Sequence, residues 1–321
     1  MIARRHLALA ALPLLARPAL AQGQAWPARP IRLVVPFAPG GTTDVVGRIV
    51  AEKLGARLGQ PVVVENRAGA GATIGAQQVA RAEPDGLTLL VSSSTSHGVS
   101  PALYPSIPYD ALRDFTHVGM IARSPSVLLV NPNSPARTLA DFAAAARAAG
   151  EVRFAVAGIG TSSHLAGVRL AMALGVRTES IPYRGAGPAL TDLIGGVVPA
   201  MMDSLPSCGP HVRAGALRAL AVSGAERAEG FPDLPTLREG GLDVVSYAWF
   251  GISGPAGLPA PIVQRLSSEL RAVLTDPATR ARLEELGGAP PDTTPETYTA
   301  FIRDELAAFA PLVRAAGLQP Q

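Results

Sequence analysis

The sequence predicts an α/β protein of two lobes, and three patterns lead to that reading. Short apolar runs of strand length alternate with longer stretches whose apolar residues recur at helical spacing, the grammar of parallel strands joined by crossover helices. The alternation comes in two sets, one on each side of about residue 124. The 321 residues are enough for two cores of ordinary domain size.

Taken in order, Ile31 to Pro36 reads as a buried strand, Val45 to Leu58 as a helix, Val62 to Glu65 as a second strand, Thr73 to Ala82 as a helix and Leu87 to Ser92 as a third strand. The second set opens with an apolar strand at Val127 to Val130. It continues with a helix over Leu139 to Ala149, a strand at Val152 to Ala157 and a helix from His164 to Leu174. Strands at Thr178 to Pro182, Val198 to Asp203 and Leu217 to Val222 complete it, with a helix at Pro188 to Ile194 between the first two. A loop rich in Gly, Pro and charge runs from Gly224 to Gly241, and one more strand is expected at Ala248 to Ser253. Helices at Ala260 to Leu274, Pro277 to Leu286 and Pro295 to Ala316 have no strands after them and are expected to fold back on the first lobe. Residues 27–123 with 224–321 are therefore assigned to lobe 1, and 124–223 to lobe 2.

Compartment is written at the N-terminus. Arg4 and Arg5 precede an apolar run from Leu7 to Leu15, and Ala19-Leu20-Ala21 supplies the small residues a signal peptidase requires, so residues 1–21 read as a signal peptide cleaved after Ala21. The run is too short to cross a bilayer, which takes about 20 apolar residues, so the mature chain is expected to have no membrane span. Arg4-Arg5-His6-Leu7 loosely resembles a twin-arginine signal, and both export routes fit. Of the 28 Lys and Arg residues, Arg4, Arg5 and Arg17 lie in this leader, which has no acid. The remainder carries 25 basic and 25 acidic residues, a balance that gives no general support for nucleic-acid binding. Cys208 is the sole cysteine, so no intramolecular disulfide can form, and a buried inert thiol is the plain reading.

Three strand-to-helix loops could hold a ligand, because in open α/β sheets ligands sit beyond the carboxyl ends of strands. The first strand runs into Phe37-Ala38-Pro39-Gly40-Gly41-Thr42-Thr43-Asp44, where the glycines permit close backbone approach and unpaired N–H groups suit an anion. Asp44 suits the helix dipole yet would repel a carboxylate, so it either faces away or meets a donor on the ligand. Ser92 to Ser96, including Ser93, Ser94 and Thr95, follows the third strand, and Gly158-Ile159-Gly160-Thr161-Ser162-Ser163 opens a helix in the second set. Both loops offer hydroxyls and amides without fixed charge; helix capping alone would also explain them. Pro182-Tyr183-Arg184-Gly185 supplies a guanidinium able to grip a carboxylate in two places or to hold a surface acid. Asp203-Ser204, at another strand end, could accept from a ligand hydroxyl or amine, or from a structuring water.

Enzyme signatures are weak. Gly69-Ala70-Gly71-Ala72-Thr73-Ile74-Gly75 follows a strand but is one residue too long for a dinucleotide fingerprint, and no strand-end acid stands about 20 residues on. Gly251-Ile252-Ser253-Gly254-Pro255 fails a nucleophile elbow at its last position. His97, His117, His164 and His211 are scattered without metal-ligand spacing, so neither metal nor cofactor is expected. A serine hydrolase built from Ser92 to Ser96 with His97 or His164 stays as a rival.

The strings PIRLVVPFAPGGTTDVVGR, GQPVVVENRAGAGATIGAQQVARAEPDGLTLL, GIGTSSHLAG, IPYRGAGPALTDLIGG and LPTLREGG, in this order across the mature chain, closely resemble the Bug family, the periplasmic receptors of tripartite tricarboxylate transporters. Leu87 stands where that family usually has an aromatic residue, and Cys208 is idiosyncratic. The resemblance implies a two-lobed periplasmic-binding-protein fold, type II-like, with a ligand cleft between the lobes. It implies a carboxylate held by backbone amides, hydroxyls and waters and not by clustered arginines. It carries the ligand role onto Phe37 to Asp44, Gly158 to Ser162, Tyr183, Arg184, Gly185 and Asp203. The expected function is capture of a mono-, di- or tricarboxylate by lobe closure in the periplasm, as a monomer, for the membrane permease subunits of such a transporter. The second rival is a receptor that presents its closed form to a membrane sensor kinase.

Overall fold

The computed structural model describes residues 26–104 and 106–318, so the expected signal peptide lies outside the described residues. The first lobe begins β1 (Ile31–Val35), α1 (Thr42–Leu58), β2 (Val62–Asn66), α2 (Thr73–Ala80) and β3 (Thr88–Ser93). The strands pair in parallel, β2 and β3 flanking β1. A π-helical turn at Thr95–Val99 and a short α3 (Ser100–Leu103) follow, neither expected from the sequence, whose Ser- and Thr-rich run shows no helical period.

The largest departure is β4 (Phe115–Val130), sixteen residues long where a strand was expected only from Val127. Its first part pairs antiparallel with β9 (Tyr247–Pro255) through two irregularities in register. Its last five residues pair with β7 (Ala200–Ser204) on one side, and its last four with β8 (Arg218–Val222) on the other. Pro125 sits where the partners change, a position that tolerates a missing N–H. β9 also pairs with β3, so β4 belongs to two sheets and joins them.

The second lobe adds α4 (Leu139–Ala149), β5 (Glu151–Val156), α5 (Ser162–Leu174), β6 (Arg177–Pro182), α6 (Ala186–Ile194) and α7 (Leu205–Arg213). α4 starts with a capping box from Thr138 and Asp141. α7 was not expected because Pro206, Gly209 and Pro210 interrupt its helical pattern, though Pro206 lies in the first turn where proline is tolerated. Helices cover both faces of each sheet. In the second lobe Phe142, Phe154 and Leu170 form one core, and Leu190, Met201, Leu205 and Cys208 the other, so Cys208 is a buried thiol.

We place the second crossing later in the chain than the sequence suggests. Leu237, Leu242 and Val244 join the first of these cores, while Ala228 and Phe231 join the other. Residues 224–246 thus pack on the second lobe, and we place the return at Ser246–Tyr247 instead of directly after Ser223. α8 (Ala260–Thr275) buries Leu266 and Leu270 against α1 and the first sheet, and α9 (Pro277–Glu285) adds Leu283. α10 (Pro295–Ala315) covers the opposite face with Tyr298 and Ile302. It also meets α5 of the second lobe through Val99, Leu103, Leu165, Phe309 and Val313.

Ser223 fastens the crossing. Its N–H donates to Ser126 O at 2.7 Å, its hydroxyl donates to Ser246 O at 2.6 Å, and its Oγ accepts from Ser126 N–H at 3.0 Å. Ser223→Ala leaves the Ser126 amide with only a 3.4 Å contact to Ser246 O. It is expected to lower stability by about 1–2 kcal/mol, read as an earlier urea midpoint with unchanged slope. A midpoint equal to wild type would show that the fastening is redundant.

Candidate functional site

A cavity of about 40 Å³, room for a few waters, lies between the lobes. The first lobe contributes Phe37, the start of α1 (Gly41, Thr42, Thr43), Thr95 and Phe250. The second contributes Ala157, the start of α5 (Thr161, Ser162, Ser163), Ala186, Asp203 and Ser204. Four helices thus begin at the wall of one small space. Only α5 has a side-chain cap there, Thr161 Oγ1 accepting from His164 N–H; α1, α6 and α7 have none. First-turn amides lack intrahelical partners and form the positive end of the helix dipole, which favours negative charge, and among the described residues no Lys or Arg lines the cavity.

Hydrogen bonds hold the lobes together around it. Thr42 Oγ1 lies 2.7 Å from Ser207 Oγ, Ser162 N–H donates to Thr95 Oγ1 at 3.1 Å, and Ala38 N–H donates to Arg184 O at 3.1 Å. Ser100 Oγ reaches Gly160 O at 3.2 Å, and Tyr104 Oη reaches Ile159 O at 3.3 Å. Gly187 packs so closely on the Pro39 carbonyl that a Cβ there would overlap it, and Ala186 Cβ lies against Gly41.

Of the residues expected to bind ligand, Phe37, Gly41, Thr42, Thr43, Thr95, Thr161, Ser162 and Asp203 line the cavity. Pro39 and Gly40 stand exposed at its rim. Asp44 is turned away: it accepts from Gly40 N–H, Arg48 Nε and Asn66 Nδ2 at 2.9–3.0 Å. Burial alone would raise its pKa, but Arg48, Gly40 and Asn66 outweigh burial and hold the carboxyl below its usual range. This resolves the choice left open by the sequence in favour of a structural acid. Ser93 bonds Ser96, and Ser94 Oγ is buried without a partner; neither lines the cavity.

Gly158, Tyr183 and Arg184 are not brought into the cavity. They border a neighbouring depression of about 450 Å³, walled by Ala68–Ala72 and Tyr104, that shares Phe37 and Ala157 with it. Tyr183 Oη donates to Asp192 at 2.6 Å, and burial with that carboxylate pushes its pKa up to about 12. Gly185 caps α6 against Ala38. Sequence reasoning missed Ala157, Ala186 and Phe250, which carry no chemical signal, and Ser207, whose helix was not foreseen.

The serine-hydrolase arrangement gains nothing from the geometry. Ser96 Oγ does lie 2.9 Å from His97 Nδ1, but both residues are fully buried behind Thr95 and neither lines the cavity. The His97 ring packs on Phe115 and His117 with Nε2 unpartnered, so no acid orients it. Among the described residues no group of three or more His, Cys, Asp or Glu could hold a metal ion, and no helix is long and apolar enough to cross a membrane.

Residues 46–318 match the family model described as the tripartite tricarboxylate transporter family receptor. The chain belongs to this receptor family. It is 41% identical over 295 residues to protein BugT of Bordetella pertussis, covering 91% of this chain and 90% of BugT. The structure of the periplasmic binding protein BugD superposes with a TM-score of 0.88 at 36% identity, covering 92% of this chain and all of BugD. An R. palustris protein, Rpa4515, solved with adipate, gives 0.89 at 34% identity with the same coverage. The receptor therefore has the two-lobed periplasmic-binding-protein fold, and its family and fold are those of solute-binding proteins.

Among the described residues Asp203 is the one acid lining the cavity. It is 5% exposed, accepts from Ser207 Oγ at 2.6 Å, and burial pushes its pKa up to about 6. A carboxyl raised in the fold binds protons that the unfolded chain has lost, so its ionisation lowers stability as pH rises from about 3.8 through about 6. Asp203→Asn is therefore expected to stabilise the ligand-free receptor more at pH 8 than at pH 4.5, by up to about 2 kcal/mol, in urea unfolding at the two pH values. Equal effects at both would show that the carboxyl is not held against ionisation.

Proposed function

We propose that this receptor captures a small carboxylate in the periplasm by closing its lobes around it, without covalent chemistry, and delivers it to the permease subunits of a tripartite tricarboxylate-type transporter. The observation that carries the reading is the convergence of four helix N-termini, three without side-chain caps, on one cavity free of basic side chains among the described residues. A carboxylate there accepts from main-chain amides and from the hydroxyls of Thr43 and Thr95, and the similar protein solved with adipate supports that class of ligand. The depression bordered by Arg184 gives the far end of an extended acid a place at the cleft edge.

Thermal unfolding of the mature protein with adipate, succinate, L-malate and citrate tests the class. A ligand at 100 times its Kd stabilises by about 2.7 kcal/mol, a Tm rise of about 4 °C for a chain of this size. A flat response to all four acids, with calorimetry equally silent, would overturn the reading. Gly187→Ala places a methyl against the Pro39 carbonyl only when the lobes meet. It is expected to weaken carboxylate binding by about tenfold or more, since overlap across a packed contact costs about 1–3 kcal/mol. Binding equal to wild type would mean that capture does not need this closure.

A further inference from the structure

The turn that presents Thr161 and Ser162 to the cavity is held by one buried imidazole. His164, in the first turn of α5 and only 6% exposed, offers Nδ1 to Gly160 N–H at 3.2 Å. Its own backbone N–H donates to Thr161 Oγ1 at 3.3 Å, and that hydroxyl donates to Gly158 O at 2.7 Å. The bonds form a reciprocal clasp of the kind a capping box makes, with the imidazole in place of the usual Glu and reaching one residue further back. Gly160 needs such a hold. It takes φ +75° and packs on Leu103 and Tyr104, leaving no space for a side chain of its own.

The choice of acceptor has an electrostatic consequence. A Glu or Asp making the same bond would set a negative charge within one helical turn of the site that must attract an anion. An imidazole accepts through Nδ1 only when that nitrogen carries no proton, which puts the single proton on Nε2 and leaves the ring uncharged. Burial, which lowers the His164 pKa to about 4, keeps it so at neutral pH.

We propose that His164 is a positioning residue of the ligand site: an uncharged hydrogen-bond acceptor that fixes the Gly158–Ser162 turn without opposing the bound carboxylate. This rests on the carboxylate-binding reading above. The test uses His164→Asn, which keeps a neutral acceptor near the Nδ1 position, His164→Ala, which removes it, and His164→Asp, which keeps it but adds charge. Each is titrated calorimetrically with the same four acids. The Asn variant is expected within about twofold of wild-type Kd, and the Ala and Asp variants about fivefold or more weaker. An Asn variant as weak as Ala, or an Asp variant binding like wild type, would overturn the proposal. Amide exchange of ligand-free protein separates the clasp from the functional reading: Gly160 N–H is expected to be protected in wild type and Asn and to exchange faster in Ala. If wild type bound none of the acids, the functional reading would fall while this comparison still decided the clasp, with equal Gly160 exchange in wild type and Ala overturning it.

Discussion

Strand β4 dictates where everything else faces. In the first lobe it runs alongside β9, which is antiparallel to β3, so β4 leaves that sheet at the same end as the carboxyl termini of β1 and β3. It then enters the second sheet, where β7 is antiparallel to it and β5 and β6 run parallel to β7. The carboxyl ends of β5, β6 and β7 therefore lie next to the point where β4 arrives. Each of β1, β5, β6 and β7 is followed by a helix, so four helix N-termini must look into the gap that β4 crosses. The anion affinity proposed for this cavity is thus a consequence of topology before any side chain is chosen, as expected where ligands sit beyond strand carboxyl ends.

The same topology explains why the cavity can work without a cation. A guanidinium in a closing cleft would have to shed its water whether or not a ligand arrived, whereas first-turn amides are already part of folded helices and need no reorganisation. The bonds that join the lobes around the cavity are neutral, such as Thr42 with Ser207 and Ser162 with Thr95, and each contributes on the order of 1 kcal/mol net. Such a set is weak enough for a ligand's own contacts to tip the balance between open and closed forms, as population shift requires. The apolar cluster of Leu103, Leu165 and Phe309 adds a hydrophobic contact at the end of the cleft where α10 spans both lobes.

Much of this was legible in the residues. Gly40-Gly41-Thr42-Thr43 and Gly158 to Ser162 announce tight strand-to-helix turns rich in donors, and the structure brings parts of both to one cavity. The long β4 was not legible because its first part mixes Thr116, His117, Gly119 and Ser124 with apolar residues. What makes it a strand is its pairing with β9, more than a hundred residues away. The packing of residues 224–246 was hidden for a similar reason: Phe231, Leu237 and Leu242 are scattered among Gly, Pro and charge, with no period to show which core they enter. Phe250 and Ala186 shape the cavity by position alone, and position is a tertiary fact.

The two acids at helix starts show where reading residue types stops. Asp44 and Asp203 both adjoin helix N-termini, both expose little surface, and on the dipole argument alone both should be ionised. Depth within the protein, greater for Asp203, and partners separate them. Asp44 has Arg48, Asn66 and a backbone N–H, enough to outweigh desolvation, so it becomes a fixed brace for the Gly40 turn. Asp203 has Ser207 and the adjacent Ser204 amide but no cation, so desolvation wins and its pKa rises. That leaves the one acid lining the cavity among the described residues titrating at about 6, and Ser207 connects it directly to Thr42 on the other lobe. Arg48 stands four residues after Asp44, one helical turn on, and was visible in the sequence. The missing counterpart at Asp203 is a property of every element around it, which no local pattern records.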